Sequence, residues 1–590
     1  MLKLSDKNKH LLEAETGTIT KPHGGRLRVA LAFPNSYHLG MSNLGFQMVY
    51  RLFNEVPEVV CERAFLPDEE DVRELVRSGA PWRSLESDTP LRDFDVIAFS
   101  ISFEMDYLNL LTQLELAGQP LRSLDRDNGH PLVLVGGPAV TINPEPIAEF
   151  ADAFCVGDGE EMVGDLASVM LADSGGQDRD DLLRRLAQVE GVYVPRFYSV
   201  DYTPEGLVER IYPTEPGVPF PIRRRIAKDL SRYNVSSTIL TPNTEFPNMM
   251  MMEVARGCAR SCRFCFAGYG FRPVRYRKEE DTEGVKLQCD AMPPDSQWRP
   301  RVGLVGSSLS DNPNTEEIAS HFADSGFQVS AASVRAETTR QRLTDALAKG
   351  GSRSLTLAPE AGTDRLRKVI KKPMKESALQ EAVGNAVRSG IRRIKLYFMC
   401  GLPTETDEDV LGVADMAKRL WEAHPSTEIT LSMNPLVPKP FTPFQWQATE
   451  PVKTLQAKQR LLEKALNSYP RVKVDMASPR MMELQALLAR GDRRLSGLLV
   501  LAKELGGDWR RAARELEVDI DWQVRRERGQ SEVFPWEVLS LHLDREYLWQ
   551  EYQMGLLGVA QAYELTEEQA LELGVRRGRR TAMVESGAAR

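Results

Sequence analysis

Three cysteines stand within eight residues, Cys258, Cys262 and Cys265, in the segment Gly-Cys-Ala-Arg-Ser-Cys-Arg-Phe-Cys-Phe, spaced C-x3-C-x2-C. Thiolates this close together can converge on one metal centre. A structural zinc ion takes four protein ligands, and no fourth Cys or His lies nearby in the sequence. A cubane iron–sulfur cluster takes four cysteines. With three, one iron is left for a ligand that is not protein, and that open iron can hold a small molecule and pass it an electron. The competing reading is a zinc loop or a chance cluster. The remaining cysteines, Cys61, Cys155, Cys289 and Cys400, are scattered, which argues against a disulfide framework.

Such a loop needs a scaffold, and the hydrophobic pattern predicts an α/β one. At 590 residues the chain is too long for one ordinary core. Candidate strands fall at Leu27–Phe33, Val59–Phe65, Asp95–Ser100, Leu132–Val135 and Ala153–Val156, with helical patterns such as Glu104–Ala117 between them. Continuous apolar runs suit strands covered on both faces. Strand–helix alternation predicts a doubly wound parallel sheet over 27–175, with ligands at the carboxyl ends of its strands. At those ends stand Ser100 and Ser102, then Gly136 and Gly137, then Gly157 and Gly159; glycine lets a backbone approach a bulky ligand closely.

Residues 1–26 read as an extension and 176–245 as a bridge, which includes a short strand at Gly191–Tyr198 and Arg223-Arg224-Arg225 as a solvated face. Over 246–450 six strand–helix units follow, with strands at Met249–Val254, Arg301–Val305, Gln328–Ser333, Ser354–Leu357, Arg393–Phe398 and Glu428–Met433, and helices among them at Thr338–Lys349 and Glu405–His424. This predicts a parallel partial barrel whose chemistry sits on the loops at the carboxyl ends. The first of these strands runs straight into the cysteine loop. Residues 451–590 read as helical, with Val452–Asn467 and Arg480–Leu505 as amphipathic helices and tryptophans 509, 522, 536 and 549 as core.

Composition sets limits. The chain is 42% hydrophobic and 27% charged, with a net charge of −9, which does not suggest a nucleic-acid binder overall. No run of about 18 apolar residues predicts a membrane span, and the first ten residues lack the apolar core of a signal peptide. Residence in the cytoplasm follows, a compartment that keeps thiols reduced. The tail carries Arg576-Arg577-Gly578-Arg579-Arg580, read as a solvated end, with contact to RNA as the sharper alternative.

Motifs recur in order after the cysteine loop: Val302-Gly-Leu-Val-Gly-Ser-Ser, Ser330-Ala-Ala-Ser-Val-Arg, Leu357-Ala-Pro-Glu-Ala-Gly-Thr and Lys395-Leu-Tyr-Phe-Met-Cys-Gly-Leu-Pro. Each is weak alone. In this order, after C-x3-C-x2-C, they resemble the radical S-adenosylmethionine (SAM) superfamily. The resemblance implies a [4Fe–4S] cluster held by Cys258, Cys262 and Cys265. The amino and carboxylate groups of SAM then chelate the open iron, and one electron releases a 5′-deoxyadenosyl radical. It further implies that Phe264 lies near the adenine, Gly306 and Ser307 face the aminocarboxyl end of SAM, and Ser333 and Arg335 contribute from another strand end. Glu360 would take the ribose hydroxyls or the ammonium, and Gly401 the adenine ring. The ends of the first sheet, with Gly-Gly-Pro and Gly-Asp-Gly-Glu-Glu, look like the cobalamin (B12)-binding-type Rossmann-like domain that precedes many radical SAM cores. Cobalamin is thus a third implied cofactor, on Ser100, Ser102, Gly136, Gly137, Gly157 and Gly159.

One departure stands out. Cobalamin proteins that ligate cobalt through histidine carry Asp-x-His-x-x-Gly, and His38 lies in Asn-Ser-Tyr-His-Leu-Gly. The resemblance therefore implies cobalamin held without that histidine, or a domain that kept the fold and lost the cofactor; His38 reads as a loop or packing residue. Cys400, beside Gly401, reads as a small buried hydrophobe rather than a methyl acceptor. The function expected is a radical SAM enzyme, with cobalamin a methyltransferase on an unnamed substrate. Without cobalamin it would catalyse another radical reaction such as rearrangement, ring closure or sulfur insertion. A non-catalytic iron–sulfur protein that senses redox state or binds RNA is the reading from another class. An electron donor of flavodoxin or ferredoxin type is implied, and no membrane.

Overall fold

The computed structural model describes residues 3–172, 178–290 and 301–575. The arginines of the tail, 576–580, lie outside them. The first sheet has six strands: β1 (Leu27–Phe33), β2 (Val59–Phe65), β3 (Val96–Ser100), β4 (Leu132–Gly136), β5 (Ala153–Cys155) and β6 (Val192–Tyr193). Their order is β2-β1-β3-β4-β5-β6. The first five are parallel and β6 is antiparallel to β5. The apolar run Val29–Phe33 is buried throughout, as a strand covered on both faces must be. Strand order reverses between β1 and β3, so their carboxyl ends diverge and leave a crevice. The helix Leu44–Glu55 returns from β1 over the sheet and buries Phe46, Tyr50 and Phe53; the Asn43 side chain caps it by accepting from the Phe46 amide.

The described part of the expected bridge, residues 178–245, carries regular elements. The helix Arg179–Leu186 leads into β6, and a hairpin of β7 (Tyr198–Tyr202) and β8 (Val208–Pro213) follows, then β9 (Ile222–Arg223). The three arginines are not one solvated face. Arg223 is exposed, but Arg224 is buried, with its guanidinium on the Arg272 carbonyl, and Arg225 pairs with Asp165. Long-range acceptors draw in a side chain that local composition assigns to solvent.

The second α/β unit contains β10 (Met249–Arg256), β11 (Arg275–Tyr276), β12 (Arg301–Gly306), β13 (Gln328–Ala331), β14 (Ser354–Glu360), β15 (Arg393–Cys400), β16 (Glu428–Pro435) and β17 (Val472–Met476). β10, β12 and β13 are parallel in one sheet, with β11 antiparallel on its outer edge; β14 to β17 are parallel in a second. A bridge between Val334 and Leu357 links the two sheets. The six expected strand–helix units form an open parallel array rather than a closed barrel.

The C-terminal region departs from an all-helical reading. Val472–Met476 is a strand on the free edge of β16, and β18 (Leu539–Ser540) pairs parallel with β9. Arg480–Leu505 is two helices, Pro479–Arg490 and Leu495–Glu504, parted at Gly491. There the Asn143 amide donates to the carbonyls of Ala489 and Gly491, which a continuous helix would have used itself. Leu495, Leu498 and Leu499 share one core with Tyr107, Leu110 and Leu114 of the first unit. Trp536 is fully buried, Trp509 and Trp549 pack on the same core, and Trp522 lies under the Arg526 guanidinium.

Candidate active site

A cavity of about 640 Å³ lies where the carboxyl ends of the two parallel units face each other. Ser100, Ser102, Gly136, Gly137, Gly157 and Gly159 line it from the first sheet; Arg256, Gly257, Gly306 and Ser307 line it from β10 and β12. Most of the remaining wall is apolar, including Met48, Phe99, Val305 and Phe271. The glycines differ in kind. Gly137 has φ +110°, and a Cβ there would stand 2.4 Å from the Ile101 carbonyl oxygen. Gly157 has φ +128°, and its Cβ would meet the Arg225 oxygen at 2.2 Å. Both are glycine because the backbone demands it. At Gly159 a Cβ would make only ordinary contacts, with Val49 at 3.5 Å and Met48 at 3.9 Å, so there the missing side chain leaves the cavity wall open. Ser102 is held by the Asn43 amide at 2.9 Å. His38 is half exposed, 3.5 Å from Glu245, and is not among the cavity walls.

The cysteine loop leaves β10 through Gly257, whose Cβ would collide with the Phe271 carbonyl. Its turns are closed by backbone bonds from Cys258 to Ala267, Cys265 to Cys262 and Gly268 to Cys265. Among the described residues no three His, Cys, Asp or Glu side chains already meet as a metal-binding group. The donor set nevertheless suits an iron–sulfur cluster. The three thiols stand on one short loop and sense one another's charge. Backbone amides also point at sulfur: Arg260 N donates to the Cys258 Sγ at 3.4 Å, and those of Ala267 and Gly268 serve Cys265. Burial pushes the Cys262 thiol up, against Lys372 and Arg335, and pushes Cys265 up to about 12. Cations and amide dipoles of this kind are what favour a thiolate over a thiol once a metal is present.

The other expected residues are not among the cavity walls; Phe264 stands on the loop itself, and Arg335 and Glu360 act electrostatically on Cys262. Arg335 faces Glu337 at 2.8 Å and Asp311 at 4.0 Å. Ser333 is half-buried two residues before it. Glu360, at the end of β14, has φ +67°, an uncommon conformation for a side chain with a Cβ, and its carboxylate accepts from Lys372 at 2.9 Å. Phe264 packs towards Ala361, Leu402 and Leu436 at the ends of β14, β15 and β16. Gly401, with φ +72°, donates its amide to Glu405 at 2.7 Å and sits against Leu455 and Glu450, away from the cavity. Cys400 is fully buried and its thiol is pushed up by burial, as for a packing residue.

Sequence reasoning missed an ionic wall. Arg256, just before the cysteine loop, donates to Glu160 at 2.6 Å and to Glu253 at 2.8 Å and lies 3.2 Å from Asp158. Arg275 pairs with Asp158 at 2.5 Å. Burial favours a protonated Asp158, but the two guanidinium groups outweigh it and hold its carboxyl below the usual range. Asp158 and Glu160 stand in Gly-Asp-Gly-Glu, and nothing local in the sequence ties them to Arg256.

Two family models match the chain: radical SAM proteins, N-terminal, over residues 45–195, and the radical SAM superfamily over 252–417. An uncharacterised protein of Methanocaldococcus jannaschii is 30% identical over 482 residues, 80% of this chain and 91% of the relative. Among solved structures, the radical SAM methyltransferase TsrM from Kitasatospora setae, with cobalamin and a [4Fe–4S] cluster bound, aligns with a TM-score of 0.50 at 14% identity, over 83% of this chain and all of that one. At that identity the likeness is one of fold. The cobalamin-dependent radical enzyme OxsB, with aqua-cobalamin and SAM bound, gives a TM-score of 0.46 at 14% identity over 81% of this chain and 66% of its own.

Proposed function

The chain belongs to the radical SAM superfamily, and from that premise we propose that it is a cobalamin-dependent methyltransferase. The observation that carries this reading is the shared cavity: the strand ends expected to hold cobalamin and Gly306-Ser307, expected to face SAM, line one space. When bound, the cluster would supply the electron that cleaves SAM, and cobalamin would carry the methyl group.

The chain's own residues position and shield. Cys258, Cys262 and Cys265 would hold the cluster. Phe264, Ser333, Arg335, Glu360 and Gly401 are proposed to surround SAM, with the Lys372–Glu360 pair fixing the carboxylate. Ser100, Ser102, Gly136, Gly137, Gly157 and Gly159 give cobalamin a close backbone approach, and the apolar wall around Met48, Phe99 and Phe271 excludes water from a radical. His38, outside the cavity walls, fits a cobalt without a histidine ligand from this loop. A low-potential donor of flavodoxin or ferredoxin type and a reducing cytoplasm complete the reading. Among the described residues no helix is long and apolar enough to cross a membrane.

The test is turnover of SAM by the anaerobically reconstituted, reduced protein with and without hydroxocobalamin. S-adenosylhomocysteine formed only with cobalamin supports methyl transfer. Release of 5′-deoxyadenosine alone, unchanged by cobalamin, would replace this reading with another radical reaction.

A further inference from the structure

The loop that carries the three cysteines is braced from nearly 300 residues away. Arg263, between Cys262 and Cys265, turns away from the sulfurs and is fully buried. Its Nη1 donates to the carbonyls of Lys368 and Val369 at 3.0 and 2.9 Å, and its Nε to the Glu551 carboxylate at 3.1 Å. Glu551 is itself buried and also receives Lys371. It lies on the helix Arg545–Leu556, one turn from Tyr547 and one from Gly555. All three face the loop. The Tyr547 phenol stands close enough to Ser261 and Arg263 to interact with both electrostatically, and a Cβ on Gly555 would come within 3.1 Å of the Arg263 side chain. Residues four apart share one side of a helix. Tyr547, Glu551 and Gly555 therefore form a single stripe laid across Ser261–Arg263.

On the reading that this loop holds a cluster, we propose that Glu551 is a positioning residue for it. The C-terminal helix is a seat for the cysteine loop, and the Glu551 carboxylate fixes Arg263 so that Cys262 and Cys265 keep a common orientation. Backbone bonds give the loop its turns, but the buried Arg263 needs a counter-charge to stay where it is. Glu551 supplies it and joins Lys371 to the same point. The helix thus gives the distal part of the chain a role at the cluster that no motif signals.

The experiment uses the full chain, reconstituted anaerobically, as wild type, E551Q and Y547F. Glutamine keeps the shape of the side chain and removes its charge, so far-UV circular dichroism is expected to be unchanged. The cluster is read by iron content, its rate of loss to a chelator, and the midpoint potential and electron paramagnetic resonance signal of its reduced form. E551Q is expected to lose iron about tenfold faster, the scale of effect of outer partners on metal retention. Its potential should move positive, because a nearby negative charge is gone. Y547F should lose iron faster by a smaller factor with its potential unchanged. A folded E551Q with the wild-type loss rate, potential and signal would overturn the proposal. A wild-type chain that takes up no iron at all would overturn the cluster reading and this inference with it.

Discussion

The Glu160 carboxylate accepts a hydrogen bond at 2.6 Å from the Arg256 guanidinium. Glu160 follows Gly159 on the wall of the cavity, and Arg256 stands two residues before the first cysteine of the loop. The pair fastens the carboxyl end of one parallel sheet to that of the other, so the two units share a fixed wall at the cavity.

Loss of Arg256 is expected to cost more than loss of Glu160. Arg256→Met leaves the buried Glu160 and the partly buried Glu253 without their main cation, and breaking a buried pair in this way costs about 3–5 kcal/mol. Glu160→Gln leaves Arg256 with Glu253 and Asp158, so about 1.5 kcal/mol is expected. Thermal unfolding midpoints should fall in that order. Equal midpoints for the two variants would mean that the wall does not hold the units together.

The two kinds of glycine separate fold from cofactor. Gly137→Ala drives a Cβ into the Ile101 carbonyl and should fail to accumulate as folded protein. Gly159→Ala should fold and keep hydroxocobalamin. Gly159→Leu should fold, keep its iron and retain cobalamin poorly: overpacking costs about 1–3 kcal/mol, roughly five- to 150-fold in retention. Cobalt per folded chain, counted beside iron, checks all three. Cobalt retained in full by Gly159→Leu would remove Gly159 from the site.

Asp106 gives a pH dependence of known sign. It is buried near the ends of β1 and β3, accepts from Asn35 at 2.9 Å, and burial raises its carboxyl to about 6. The folded chain therefore binds this proton more tightly than the unfolded chain. The stability it contributes is present below about pH 4 and is lost as pH rises to about 6, by up to about 3 kcal/mol. Asp106→Asn should flatten that slope and be more stable than wild type at pH 7.5. Chemical denaturation at pH 5 and pH 7.5 decides; an unchanged slope in the variant would assign the effect elsewhere.

Replacing Cys258, Cys262 and Cys265 with alanine should abolish the visible absorbance of the reconstituted protein, whereas Cys400→Ala should leave it intact. Cys400 is buried at the end of β15 with its thiol pushed up. A full cluster in the triple variant would contradict the ligand assignment.

Much of this was legible in the sequence because it is local. Val29–Phe33 is an apolar run long enough for a buried strand and too short for a helix, and Val59–Phe65 is apolar at both ends around Glu62-Arg63; both strands end where the pattern ends. The cysteine spacing named its own chemistry. Val472–Met476 escaped because Val-Lys-Val-Asp-Met is a five-residue alternation between long helical patterns, and only β16 makes it a strand. Arg224, Arg256 and Arg263 escaped for a related reason. An arginine in sequence predicts solvent, and what draws each of them inward is an acceptor 48 or more residues away for the buried Arg224 and Arg263, or a carboxylate of the other unit for the partly buried Arg256.

The most direct test is a count of iron, sulfide and cobalt in one sample, after anaerobic purification from cells supplied with hydroxocobalamin. One [4Fe–4S] cluster together with one cobalt per chain is the predicted result, since the strand ends proposed for cobalamin and Gly306-Ser307, proposed for SAM, line one cavity. A cluster with no cobalt would contradict the account and leave the first sheet as a scaffold.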